Sequence, residues 1–228
     1  MQLVRVTFAL LATTLISACH KNAPQGQSMT ANGPFEGNVT VTYEDPAKPV
    51  TTLTYEIKGT KFRVNLPEAT NQGKKGFVLF DTESKKALLV LDDRKVFVTI
   101  DLGAANVAGA IMPKLDATAK LDQGGKIETV AGYECEDWTI TSDSGKSELC
   151  VVKGVPWFSF GSGPASADEP SWIAQITTGK YFPLRVVTSD KSGAQKKKME
   201  AIKIERTSVA DARLQAPADY HEVSMQEL

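Results

Sequence analysis

The sequence predicts a mainly β chain with a minor helical part (α+β). Its expected form is one curled antiparallel sheet, an incomplete half-barrel covered by one or two helical or loop segments. Three observations predict this. Apolar and polar residues alternate with period two from Phe35 onward, glycine- and aspartate-containing turns separate the alternating runs, and helical spacing is confined to the middle of the chain. Side chains on a strand point to opposite faces in turn, so these runs form half-buried antiparallel strands joined by hairpins. A single sheet of roughly ten or eleven strands must curl, and a half-open barrel is the natural outcome.

The chain has 228 residues, 42% hydrophobic and 23% charged, with a formal net charge of -1. That is ordinary globular composition and fits a single folded domain. Near-neutral charge excludes a dedicated nucleic-acid binder, which carries a marked basic excess. Only two histidines occur, His20 and His221. Histidine-based catalysis or metal binding therefore has little to work with, and no cofactor is expected.

Residues 1–18 read as a targeting segment. Arg5 and the amino terminus supply positive charge, and an apolar run from Phe8 to Ile16 follows. It is short and wrongly flanked for a transmembrane helix. The run ends in Leu15, Ile16, Ser17, Ala18 and Cys19, which resembles the bacterial lipobox. There, small residues let the backbone enter a peptidase, and the cysteine thiol accepts diacylglycerol before cleavage. Each buried methylene contributes about 0.8 kcal/mol, and two or more chains anchor firmly. Cys19 is therefore the expected lipidation site and the membrane the expected attachment. His20 stands where an aspartate favours the inner membrane in enteric bacteria, so the outer membrane, facing the periplasm, is expected. Residues 19–34 are polar with Gly and Pro and read as a flexible lipidated stalk. Residues 35–228 make the domain.

Within it, Val39, Val41 and Tyr43 alternate with threonines, as do Leu53, Tyr55 and Ile57 with polar residues. Gly59 and Thr60 turn the chain into Phe62, Val64 and Leu66, and strands follow over 76–80, 86–91 and 95–100. The hairpins imply a sequential meander. Residues 87–91 are apolar on both faces, so that part of the sheet needs covering twice. Val107, Ala110, Ile111 and Leu115 recur at helical spacing over 102–119 and supply the expected cover, with Pro113 ending or kinking the helix.

After Gly124 and Gly125, residues 126–130 lead into a hairpin whose two runs carry Cys135 and Cys150. Their spacing is not Cys-x-x-Cys and no setting that lowers a thiol pKa is evident. A structural cross-strand disulfide is thus favoured over a redox pair, in keeping with an oxidising compartment. Residues 155–175 lack alternation and hold Trp157, Phe158, Phe160, Trp172 and Ile173 among prolines and glycines. Apolar anchors in a long irregular connection either plug the barrel mouth as core or line it for a ligand. Strands return over 180–189 and 195–206, and a polar tail follows.

The segments YEIKGTKFRV (55–64), AGYECEDW (131–138), FPLRVVTSDKSG (182–193) and PADY (217–220) together resemble an uncharacterised bacterial lipoprotein family whose domain has no assigned function. That family is similar in fold to LolA and LolB, the periplasmic carrier and outer-membrane acceptor of lipoproteins. The resemblance spans about Phe35 to Val223. It implies an incomplete barrel whose concave apolar face holds an acyl chain, in the arrangement of a membrane-bound acceptor. The carriers' lipid-contacting residues do not map here one by one.

No Gly-x-Ser-x-Gly elbow, phosphate-binding Gly-Lys loop or His-Glu-x-x-His motif occurs, so no enzyme is expected. Asp92 and Asp93 read as a solvated turn rather than a cation site. Gly161, Ser162 and Gly163 read as flexible connection. Lys196, Lys197 and Lys198 read as a solvated sheet edge rather than a lipid-headgroup contact. The leading expectation is a tethered, non-catalytic binder of an apolar ligand such as lipid or an acyl chain. The alternative is a structural or interaction protein of the envelope with a filled core; the sequence names no protein partner.

Overall fold

The computed structural model describes residues 26–66, 75–102, 118–157 and 181–227. Cys19, the leader, most of the expected helix, and Phe158, Phe160, Trp172 and Ile173 lie outside these residues.

Among the described residues twelve strands form one sheet: β1 (Glu36–Asp45), β2 (Lys48–Lys58), β3 (Lys61–Asn65), β4 (Gly76–Asp81), β5 (Lys86–Leu91), β6 (Val96–Asp101), β7 (Lys120–Val130), β8 (Tyr133–Ser142), β9 (Gly145–Lys153), β10 (Tyr181–Asp190), β11 (Gln195–Arg206) and β12 (His221–Glu222). Their spatial order is β12-β6-β5-β4-β3-β2-β1-β11-β10-β9-β8-β7. Among the described residues β7 and β12 are the two edges, so the sheet is open, as expected of a half-barrel.

The order corrects the expectation of one sequential meander. Two meanders, β1–β6 and β7–β11, are joined where β11 returns to pair with β1, from Gly37 opposite Arg206 to Glu44 opposite Lys198. The joint is tight. Gly37 has φ +152°, and a Cβ there would lie 2.1 Å from the Glu205 carbonyl oxygen, so only glycine lets the backbones meet. Lys196–Lys198 consequently lie mid-sheet, not on an edge. Lys196 pairs with Asp190 at 2.9 Å and Lys198 with Glu200 at 2.6 Å.

Alternation sorts the side chains as expected. Val39, Val41, Tyr55, Ile57, Phe62, Val64, Val78 and Phe80 point into one continuous core, which also takes Trp138, Ile140, Leu149, Phe182, Leu184 and Val186 from the other half. The opposite face of β4 and β5 carries a second, smaller cluster of Phe77, Leu79 and Val90. The need for two covers is thus real, but the outer one is the C-terminal tail. A 3-10 turn at Asp211–Leu214 packs beside β3 with Leu214 buried, Tyr220 packs on the second cluster, and β12 pairs in parallel with β6. Asp92 accepts a hydrogen bond from the Tyr220 hydroxyl at 3.0 Å, and Asp93 accepts one from the Lys75 amide at 3.1 Å. That aspartate pair holds the tail and a strand entry.

Residues 26–34, expected to be flexible, are partly seated on the sheet. Met29 is fully buried, its carbonyl accepts a hydrogen bond from Arg206, and Gln27 exchanges two 2.9 Å backbone bonds with Gly132 and Glu134 at the start of β8. β8 pairs with β9 as far as Glu136 opposite Val151, and Gln27 bonds to β8 beyond that point. The burial of Met29 explains why this polar segment is seated.

Candidate functional site

The site that the fold builds is the inward face. Phe182 on β10, Tyr55 on β2, Phe62 on β3 and Phe80 on β4 form an aromatic row across both halves. Tyr55 meets Phe182 edge-on at 5.6 Å and Phe62 at 6.1 Å, and Phe62 stacks on Phe80 at 4.7 Å. Such pairs contribute about 0.5–1.5 kcal/mol each beyond the area they bury. Trp138 on β8 meets Tyr181 edge-on at 4.6 Å.

Polar groups are sparse on this face. The Tyr43 and Tyr55 hydroxyls lie 2.9 Å apart. Burial pushes the Tyr43 hydroxyl well above the usual tyrosine range, with Tyr55 adding to the rise. Burial likewise pushes Tyr55 up to about 12, against smaller opposing contributions from Tyr43 and the Trp157 indole. Both phenols are therefore neutral at ordinary pH. One O–H donates within the pair, and the other has no acceptor among the described residues. The Trp138 indole N–H is buried without a hydrogen-bond partner among the described residues. Leaving such a donor unpaired costs about 1–3 kcal/mol.

Of the candidate ligand residues, Trp157 alone is among the described residues. It is 2% exposed, belongs to the main core cluster and sits beside the tyrosine pair. Phe158, Phe160, Trp172 and Ile173 lie outside the described residues. Alternation put both tyrosines inward, but their contact depends on hairpin register, with Tyr43 opposite Thr51 and Tyr55 opposite Val39. Two tyrosines on the inward row of one hairpin were the available signal.

Cys135 and Cys150 are joined as a disulfide, with Cα atoms 5.2 Å apart. Glu128, Asp137 and Cys150 each bring a potential ligand atom to within 4.8 Å of the others. However, the disulfide removes the thiolate, and Glu128 is already bonded to Arg185 and, at 2.7 Å, to Lys126. Hydrogen bonds from Lys126 and Arg185 hold the Glu128 carboxyl below its ordinary range. These residues form a charge network rather than a cation site. A shallow cavity of about 360 Å³ lies at one rim, between Thr30, Pro34, Thr60, Thr82 and Pro156; it brings no ionisable side chain together.

An open, mainly β half-barrel with an aromatic inward face is the class that fold and site define. The chain belongs to the family described as Domain of unknown function (DUF4412), whose model matches residues 35–220. No curated protein matches it. Similar solved structures include an uncharacterised conserved protein of Thermus thermophilus (TM-score 0.45, 16% identity, 83% of this chain and 91% of that chain). Another is the MucA/MucB complex of Pseudomonas aeruginosa (TM-score 0.38, 16% identity, 80% of this chain and 56% of that chain). A third is a LolA superfamily protein of Nitrosomonas europaea (TM-score 0.30, 10% identity, 78% of this chain and 88% of that chain). At these values the likenesses assign no ligand or partner.

Proposed function

We propose that this protein is a lipoprotein of the bacterial envelope, anchored through Cys19 in the outer membrane, whose half-barrel binds an apolar chain bearing a hydrogen-bond acceptor, without catalysis. The observation that carries this reading is the pairing of an aromatic inward face with donors left over on it. The second Tyr43/Tyr55 O–H and the Trp138 N–H offer an ester or carboxyl oxygen what the described residues do not supply. An acyl chain meets the aromatic row and its head meets a donor. Water competes poorly in such a setting, so each bond made there counts for more than one at the surface.

The test is displacement of a fluorescent fatty acid from the periplasmically produced protein, together with native mass spectrometry of protein purified from its own host. Saturable probe binding and a retained lipid mass are expected. The absence of both would leave the second reading, a filled-core structural or interaction protein, which the near-complete burial of Trp157 and Phe182 favours.

A further inference from the structure

We infer that β7 is a self-complementary edge through which two copies of this chain pair antiparallel, joining their sheets. Among the described residues β7 hydrogen-bonds only to β8, so its outward N–H and C=O groups form an open ladder eleven residues long. Its first eight residues, Lys120–Ile127, are all exposed. They include Leu121, 37% exposed, and Ile127, 58% exposed, two of the large apolar side chains the molecule leaves in water.

The occupant follows from the order of residues. With a two-fold axis at Gly124, Lys120 of one copy falls opposite Glu128 of the other, Leu121 opposite Ile127, and Asp122 opposite Lys126. These three pairs are apolar with apolar or acid with base, and symmetry makes each of them twice, while Gln123 falls opposite Gly125 and Gly124 opposite itself. The faces agree as well. Leu121 lies opposite Ile140 and Ile127 opposite Glu136 on β8, which puts both on the inward side. Glu128 lies outward with Arg185, the side to which Asp122 also belongs by alternation. An antiparallel two-fold normal to the sheet preserves sides, so like faces meet.

The β7 irregularity between Gln123 and Ile127 falls on the axis. Both copies therefore bend at the same place, where Gly124 and Gly125 present no side chain. Edge lysines and bulges usually block pairing; here the lysines alternate with acids, and the register about Gly124 is the one that matches all four charges, Lys120, Asp122, Lys126 and Glu128, at once.

The test is cysteine crosslinking of the full chain in its membrane. Leu121→Cys/Ile127→Cys, oxidised with copper-phenanthroline, should give a covalent dimer on non-reducing gels. Val50→Cys, 64% exposed on β2, should not. Adding Asp122→Lys replaces two attractions with two repulsions and should cut the dimer yield about tenfold, with Lys126→Asp as the reciprocal disruptor should the first fail to fold. Combining Asp122→Lys with Lys126→Asp should restore the dimer. A yield no higher than that of Val50→Cys, or one indifferent to these charge changes, would overturn the inference.

Discussion

Removing one hydroxyl from the Tyr43–Tyr55 pair should cost more from one side than from the other. Tyr55 is 1% exposed, whereas Tyr43 is only half-buried. Tyr43→Phe strands the deeply buried Tyr55 hydroxyl, and an orphaned buried polar group costs about 1–3 kcal/mol. We place this variant near about 2 kcal/mol, the middle of that range. Tyr55→Phe strands the hydroxyl of Tyr43, the less buried residue of the pair, and belongs at the low end, about 1 kcal/mol. The double variant removes donor and acceptor together, so it should lose less than the sum of the singles, leaving a coupling of about 1 kcal/mol or more. With a urea slope of about 2–3 kcal/mol/M, Tyr43→Phe should move the midpoint by somewhat under about 1 M. Urea titrations of the four proteins complete the cycle. Additive singles, or Tyr55→Phe as the costlier change, would refute the assignment of a coupled buried pair. If the pair also holds a ligand head, the double variant should weaken fatty-acid probe binding while remaining folded.

The same phenols make stability depend on alkaline pH. Both hold their protons more tightly when folded, so their contribution is complete below the unfolded value near about pH 10 and is lost as pH climbs toward the Tyr55 value of about 12. Stability should be flat from about pH 7 to 9 and fall above about 10, less steeply in the double Phe variant; equal slopes in chemical denaturation would count against it. Reducing the Cys135–Cys150 disulfide, whose separation is 15 residues, should lower stability by about 3 kcal/mol without unfolding a core of this size, as measured by urea titration with and without reductant. Deleting residues 207–228 should return Phe77, Leu79 and Val90 to solvent at about 1.5–3 kcal/mol each, giving a dye-binding, aggregation-prone protein; an unchanged melting curve would contradict the covering role of the tail. Cys19→Ala should abolish incorporation of a metabolic fatty-acid probe, and undiminished labelling would remove the proposed anchor.

Alternation made the strands legible because a strand's two faces are a local property, readable from Val39, Val41 and Tyr43 without knowing what lies beside them. Neighbours are not local. Nothing in Gln195–Arg206 says that it pairs with β1, so its lysines read as an edge when they lie mid-sheet. Gly124 and Gly125 read as a break before a strand, and they prove to be an irregularity inside one that already began at Lys120. Composition also hid the seated residues at both ends. Met29 and Leu214 are single apolar anchors in polar stretches, too few to make a period yet enough to fix backbone once they find a cleft. The cysteine hairpin was readable because its signal was local as well: two runs, one turn, one cysteine on each. The tyrosine contact required register, which alternation alone does not supply.

The two edges of the sheet are managed differently, and the difference bears on what the molecule does. On one side β6 is closed by the two-residue β12, and the tail beyond it bonds again at Val223 to the Phe97 carbonyl. That edge is short, and the segment shielding it also covers the outer apolar cluster. On the other side the eleven residues of β7 have no described neighbour on their outer flank and include no proline. A chain that needed only to prevent edge association could have shortened this strand or placed like charges along it. Instead its charges alternate in sign and match themselves in reverse. The asymmetry is what one would expect of an edge kept for pairing, and it lies across the sheet from β12. Two copies joined there would keep both inward faces open on the same side, so pairing at β7 and ligand binding at the tyrosines are compatible and can be tested separately.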